Sequence, residues 1–350
     1  MNAPVLFAER GSARWITLNR PEALNALTHD MAVDMDSRLR IWSRDARVAA
    51  VVIEGTGGRA FCAGGDIRVL YEAMRRRDLD LTRIYYRDEY RLNRLIARYP
   101  KPYIALVDGM AMGGGVGVSI HGSHRIMTQG SLFAMPETGI GLFPDVGATY
   151  FLPRMPGALG MYVGLTCARL RAADALYVGF GTHYVARERW DEMHTALTRL
   201  DGLPGSVDRT LARFAVDPGP APLAAHRAAI DRCFGAETLD GVFDALAREG
   251  GDFARTTLSL LGAKSPTSLA VTFRQVRAGA TLSLEDAIRL EYRLTQRFVL
   301  GWDFPEGVRA TIIDKDGRPA WRPARRDEVD PKAIDALFAP LEGGELGFTD

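Results

Sequence analysis

The sequence predicts an α/β protein built from repeated strand–glycine loop–helix units and completed by a mainly helical C-terminal region. Two observations carry this. An uninterrupted apolar run followed by a glycine-rich loop occurs three times, with strands expected at 49–55, 102–109 and 124–129, as in strands buried on both faces. From about residue 186 onward such runs fade, and apolar residues recur at three- and four-residue spacing over 222–233, 238–247, 265–277 and 283–299, the period of helices.

In chain order, residues 4–20 alternate as a hairpin around Gly11 and Ser12. Thr28 stands where an N-cap would, ahead of a helix through Met31, Met35 and Leu39 to about Arg44. The run AAVVIEG is the first buried strand, a glycine-rich loop fills 55–65, and helical patterns cover about 67–77 and 82–99. The second strand leads to AMGGGVG at 111–117, and the third to FAMPETGIGLFPDVG at 133–147. Strand, loop and helix in succession imply stacked α/β units rather than one open nucleotide-binding sheet. Breakers cluster at 202–205, so the boundary is placed there, giving a core of 1–204 and a helical region of 205–350. The tail 340–350 is expected to be loosely held.

Composition narrows the function class. The 350 residues are 47% hydrophobic and 25% charged, with 44 Lys+Arg against 43 Asp+Glu, an ordinary globular balance with no net field to draw the chain onto nucleic acid or an anionic membrane. Three cysteines, Cys62, Cys167 and Cys233, without a C-x-x-C pair, argue for a reducing compartment rather than a disulfide framework. No secretory or transit pattern opens the sequence and no run reaches the roughly 18 apolar residues of a membrane span, so the expected location is cytoplasmic. His121 and His124 lack a third ligand type beside them, and no metal site is expected. Tyr85, Tyr86, Tyr90 and Tyr99 read as packing residues of a helix.

Three loops are suited to chemistry. Phe61-Cys62-Ala63-Gly64-Gly65-Asp66-Ile67 runs small residues into a helix start; alone this is read first as a tight turn needing glycine, and second as a loop whose exposed amides bind an anion. Gly113-Gly114-Gly115 after a buried strand allows a carbonyl group to approach the backbone, or allows close helix–strand packing. The pattern is neither a Walker A loop nor a dinucleotide fingerprint. Glu137 and Asp145 lie eight residues apart in a segment otherwise of Gly, Pro, Thr and apolar residues. One can serve as base or nucleophile and the other as acid, or they can cap a helix and form a turn.

Together these loops resemble the crotonase (enoyl-CoA hydratase/isomerase) superfamily, through A-F-C-A-G-G-D-I-R at 60–68 and K-P-Y-I-A-L-V-D-G-M-A-M-G-G-G at 101–115. The resemblance implies a spiral of ββα units with a C-terminal helical region. It also implies an oxyanion hole from the amides of Gly65 and Gly114, where losing one donor costs about 3 kcal/mol of barrier stabilisation. Hydratases of the superfamily carry a glutamate shortly after the glycine triplet and another in the P-E loop. Glu137 matches the second, but the first position is Gly117. The stretches 113–122 and 133–147, R-D-E-Y-R-L-N at 87–93, S-P-T-S-L at 265–269, E-Y-R-L-T-Q at 291–296 and D-F-x-E-G-V-R-A-x-x-I-D-K-D at 303–316 instead resemble the 3-hydroxyisobutyryl-CoA hydrolase group.

That resemblance implies hydrolysis of a short branched 3-hydroxyacyl-CoA, as in valine breakdown, with no cofactor beyond the coenzyme A of the substrate. Glu137 would act at the carbonyl carbon as nucleophile or as base. Asp145 would orient Glu137 or the substrate hydroxyl, or protonate the thiolate. Glu89 would lie near the 3-hydroxyl. Asp66, Ile67 and Arg68 would line the CoA pocket, with Lys315 a further phosphate contact. Superfamily members are often trimers or paired trimers, so a homo-oligomer is expected. The alternatives are another crotonase reaction, isomerisation or hydration, and a CoA-binding subunit without catalysis.

Overall fold

The computed structural model describes residues 3–348, and contacts divide them into two compact units. The first comprises residues up to Gly65, Arg91–Ala134 and Arg169–Ala224; the second comprises Asp66–Tyr90, Met135–Ala168 and the residues from Ala225 onward. Each unit is drawn from three segments, whereas the boundary read from the sequence cuts the chain once, near 204.

The first unit holds every strand. β1 (Val5–Arg10) and β2 (Ala13–Leu18) form the expected hairpin, with Gly11 at φ 60° in the turn. β2 then pairs in parallel with β3 (Ala50–Gly55), and β5 (Tyr103–Val107), β7 (His124–Met127) and β10 (His183–Tyr184) extend the sheet, all in parallel. The register sets Ile53 beside Ala105 and Leu106 beside Ile126. Val51, Val52, Ile53, Ile104 and Leu106 are buried, as the unbroken apolar runs require of strands covered on both faces. Trp15, Trp190, Met193 and Leu197 complete this core.

A second sheet is made of pieces too short for a sequence signal. β4 (Ala60–Cys62), β6 (Met110–Met112) and β8 (Leu132–Ala134) pair in parallel, and β9 (Leu170–Arg171) joins antiparallel. Three residues cannot display a two-residue period, so the stretches that precede the glycines read as loop. Three strands of the long sheet are thus each followed by one of the short sheet and then by a helix or helical turn: β3–β4–Ile67–Arg76, β5–β6–Gly114–Ile120 and β7–β8–Glu137–Ile140. This is the expected ββα repeat.

Thr28 caps the helix His29–Arg44, its hydroxyl accepting from the Met31 amide. The pattern at 82–99 is a helix from Leu79 to Ala97, beginning in the second unit and ending in the first. Among the described residues, the regular structure of the second unit is all helical. Its elements include Arg227–Phe234, Leu239–Glu249, Gly251–Gly262, Pro266–Gly279 and Leu284–Phe298. The C-terminal tail corrects the sequence reading up to Phe348: Leu346 is buried, its carbonyl accepts from Arg289, and Arg293 pairs with Glu345 at 3.0 Å. The last two residues of that tail lie outside the described residues. No helix among the described residues is long and apolar enough to cross a membrane.

Two glycines test this packing. A Cβ on Gly115 would stand 2.1 Å from the Cys62 carbonyl oxygen, at a backbone that cannot yield, whereas one on Gly262 would meet nothing within 4 Å. Gly115→Ala is expected to destabilise the protein by about 2 kcal/mol or more, and Gly262→Ala to leave it unchanged or raise it by about 0.5 kcal/mol. Urea unfolding of both variants beside the wild type measures this.

Candidate active site

The glycine loops of the first unit emerge from adjacent parallel strands. β4 ends at Cys62 and β6 at Met112, with Cys62 opposite Ala111, so Gly65 and Gly114 follow the same edge of the short sheet. Close contacts join the loops. A Cβ on Gly64 would lie 3.6 Å from the Met112 carbonyl, and Gly115 sits against Cys62 with no room for a side chain. Gly113 adopts φ 46°, turning the chain into the helix Gly114–Ile120. As the first residue of that helix Gly114 keeps an amide with no intrahelical acceptor. The Gly65 amide has no backbone partner among the described residues, although the neighbouring Gly64 carbonyl accepts from Leu27 at 2.9 Å. The structure therefore brings both expected amide donors to one sheet edge.

The carboxylates belong to the second unit. Glu137 opens a 3-10 turn, Glu137–Ile140, after Pro136. That turn is held by several close approaches. A Cβ on Gly141 would lie 2.1 Å from the Asp303 carbonyl oxygen, and one on Gly307 would lie 2.3 Å from the backbone of Ile140. The Ser265 amide donates to the Thr138 carbonyl, and the Ser265 hydroxyl donates to Asp303 at 2.5 Å. Glu137 is 3% exposed, and its Oε2 has no protein partner.

Asp145 lies in the turn beyond. Its Oδ2 accepts from the Tyr90 hydroxyl at 2.8 Å. Val146 follows at φ 53° and Gly147 at φ 94°; the left-handed region is strained for a β-branched residue and persists only where neighbours over-determine it. Those neighbours are Gln275, which donates to the Pro144 carbonyl at 2.5 Å, and Glu291, which accepts from the amides of Gly147 at 2.6 Å and Thr149 at 2.7 Å. Glu89 comes from the helix Leu79–Ala97, one residue before Tyr90, and is buried.

Glu89, Glu137, Asp145 and Glu291 are thus four buried carboxylates, and none has a lysine or arginine ion pair among the described residues. Burial disfavours their charge. It raises Glu89 to about 8, with Asp145 adding repulsion. Burial also raises Glu291 to about 8 against the pull of its two backbone donors. Glu137 is pushed well above the carboxylate range by burial first and the Asp145 charge second. Asp145 rises only to about 6, because the Tyr90 hydroxyl and its own amide stabilise the anion. The two members of the Glu137–Asp145 pair are therefore unequal, with Glu137 the more basic, as acid–base work requires.

Of the remaining expected residues, Arg68 donates to the Ile312 carbonyl at 3.1 Å, which brings Asp66, Ile67 and Arg68 near the segment bearing Lys315. Lys315 is exposed, at φ 57°. The sequence reading missed Tyr90 and Glu291. Tyr90 reads in sequence as a packing residue, and its burial agrees with that without revealing its hydroxyl's task. Glu291 had a signal in the E-Y-R-L-T-Q stretch, but its partners lie more than 140 residues away.

The model for enoyl-CoA hydratase/isomerase proteins matches residues 13–338. A Danio rerio protein named 3-hydroxyisobutyryl-CoA hydrolase, mitochondrial, is 44% identical over 348 residues, covering 98% of this chain and 91% of that protein. A Homo sapiens protein of the same name is 40% identical over 350 residues, covering 98% and 90%. A crystal structure described as a carnitinyl-CoA dehydratase from Mycobacterium thermoresistibile superposes with a TM-score of 0.93 at 42% identity, covering 99% of each chain. The ββα repeats with their paired amides are the crotonase architecture, and the chain belongs to the enoyl-CoA hydratase/isomerase family.

The buried carboxylates set a pH dependence of stability. Glu89 binds its proton more tightly in the folded state, near pH 8, than unfolded, near 4.5. Its contribution is therefore complete below about pH 4.5 and declines as pH rises through 8; Glu291 acts in the same direction. The wild type is expected to be more stable at pH 6 than at pH 8.5, and Glu89→Gln to flatten that decline by at least about 1 kcal/mol. Chemical denaturation at both pH values checks this.

Proposed function

We propose that the protein is an acyl-CoA thioester hydrolase that converts 3-hydroxyisobutyryl-CoA to the free hydroxy acid and CoA. The observation that carries this is the carboxylate inventory around Glu137. Glu137 and Asp145 form a buried, unequal pair, while Gly117, where the hydratase pattern places its first glutamate, offers no side chain. The names of relatives 40–44% identical over nearly the whole chain support the same reaction.

In this reading the amides of Gly65 and Gly114 hold the thioester oxygen as it gains charge. Glu137 acts at the carbonyl carbon, as nucleophile or as the base that takes a proton from water. By either route one water is consumed, the C–S bond breaks, the acyl group leaves as the carboxylic acid, and one proton of the water ends on the CoA sulfur while the other stays with the acid or passes to solvent. Asp145, held by Tyr90, orients Glu137 or supplies the proton to sulfur. Glu89 meets the 3-hydroxyl, and Asp66, Ile67, Arg68 and Lys315 face the CoA moiety. Cys62, Cys167 and Cys233, none of them in a disulfide, suit a reducing compartment, which supports a cytoplasmic placement; the relatives' names say mitochondrial, and a reducing matrix suits the same cysteines.

A second reading is addition or removal of water at an enoyl-CoA. The dehydratase description of a 42% identical structure favours it, as does Glu89, a third buried carboxylate, which the Asp145 charge acts on.

Glu137→Gln tests the leading reading. Thiol release from 3-hydroxyisobutyryl-CoA, followed with a chromogenic thiol reagent, is expected to fall by about 10³-fold, with CoA affinity unchanged. Because burial and then the Asp145 charge raise Glu137 and the active form carries it ionised, wild-type activity should rise with pH at values above the ordinary carboxylate range. A variant retaining a tenth or more of the activity contradicts the assignment of Glu137.

A further inference from the structure

The helix Leu79–Ala97 carries more polar chemistry than packing demands. Tyr86, Glu89 and Tyr90 stand at i, i+3 and i+4, and so share one face. Tyr90 commits its hydroxyl to Asp145. The Tyr86 ring packs against Tyr90 with centroids 5.8 Å apart, and Tyr86 is 2% exposed, yet its hydroxyl has no protein partner. Glu89 Oε1 is likewise buried and unpaired. A phenylalanine would fill the same space without an unpaired hydroxyl, which costs about 1–3 kcal/mol when buried. The charges of Asp145, Glu89 and Glu137 all act on the Tyr86 phenol and raise its pKa beyond what burial alone does, which places it among the carboxylates of the site.

One unpaired donor and one unpaired acceptor, a helical turn apart, match a particular ligand group. An aliphatic hydroxyl offers one O–H and two lone pairs, so it can accept from Tyr86 and donate to Glu89 at once. A ligand carboxylate would meet repulsion from the Asp145 anion, and a methyl group would leave both protein atoms unpaired. We propose that Tyr86, with Glu89, reads the hydroxyl at C3 of the acyl group, and that Tyr86 is a specificity-determining residue of the reaction. The inference rests on the hydrolase reading. It explains a buried hydroxyl that the chemistry at the carbonyl does not use, and it assigns selectivity for a 3-hydroxyacyl chain over its deoxy analogue to a donor–acceptor pair.

The test crosses one hydroxyl on the protein with one on the substrate. Thiol release by wild type and Tyr86→Phe is measured on 3-hydroxyisobutyryl-CoA and on isobutyryl-CoA, the latter also as a competitive inhibitor to give its Ki. The expected result is a loss of about 10- to 100-fold in kcat/KM for the hydroxy substrate, with kcat/KM and Ki for isobutyryl-CoA within about twofold of wild type. The variant should melt at or above the wild-type temperature, since it removes an unpaired buried group. An equal loss on both substrates, no loss on either, or a lower melting temperature would overturn the assignment of Tyr86. A wild type that releases no thiol from 3-hydroxyisobutyryl-CoA would overturn the hydrolase reading itself, and this proposal with it, a result distinct from the others because it appears before any substitution is made.

Discussion

The constraint on which the site depends is the burial of four carboxylates in the second unit, with no lysine or arginine ion pair to any of them among the described residues. Removing a carboxylate from water costs several kcal/mol unless hydrogen bonds or protonation compensate. Asp145 is compensated by the Tyr90 hydroxyl, and Glu291 by the amides of Gly147 and Thr149. Glu89 and Glu137 keep buried oxygens that no protein group satisfies. A fold retains such an arrangement when the raised proton affinities are used, and burial raises those of Glu89, Glu137, Asp145 and Glu291 alike.

Much of the second unit's local structure secures these groups. The strained Val146 turn, which fixes Asp145, is clamped by Gln275 and Glu291 from two separate helices. The Glu137 turn is seated against Asp303 and Gly307, where added methyl groups would collide with backbone, and Ser265 ties the turn to Asp303. The stretches S-P-T-S-L, E-Y-R-L-T-Q and D-F-P-E-G, distant in sequence, therefore converge on one pair of turns. Their association in the hydrolase-like pattern has a mechanical basis: each supports the loop that carries Glu137 or Asp145.

The legible part of the fold was the part with a period or a cap. Residues 49–55 and 102–109 announced buried strands by unbroken apolar composition, and Thr28 announced a helix start. The three-residue strands at Ala60–Cys62, Met110–Met112 and Leu132–Ala134 were illegible for want of length, although they position the glycine loops. Glu137 and Asp145 were legible because charge is conspicuous in a segment of Gly, Pro and apolar residues. Tyr90 was not, since a buried tyrosine at helical spacing looks the same in sequence whether its hydroxyl is idle or holds an aspartate. The chain's division was also hidden, because each compact unit gathers three segments, and composition reports only shifts along the chain.

The central claim is that Glu137 and Asp145, with glycine at 117, serve thioester hydrolysis rather than hydration. The most direct measurement runs the wild-type protein on 3-hydroxyisobutyryl-CoA for thiol release and on crotonyl-CoA for loss of enoyl absorbance, under the same conditions. Rapid thiol release with hydration slower by about two orders of magnitude or more is the expected result, the factor being what general acid–base assistance by one carboxylate contributes. Hydration without thiol release would contradict the account and give the carboxylates to the other branch of the family.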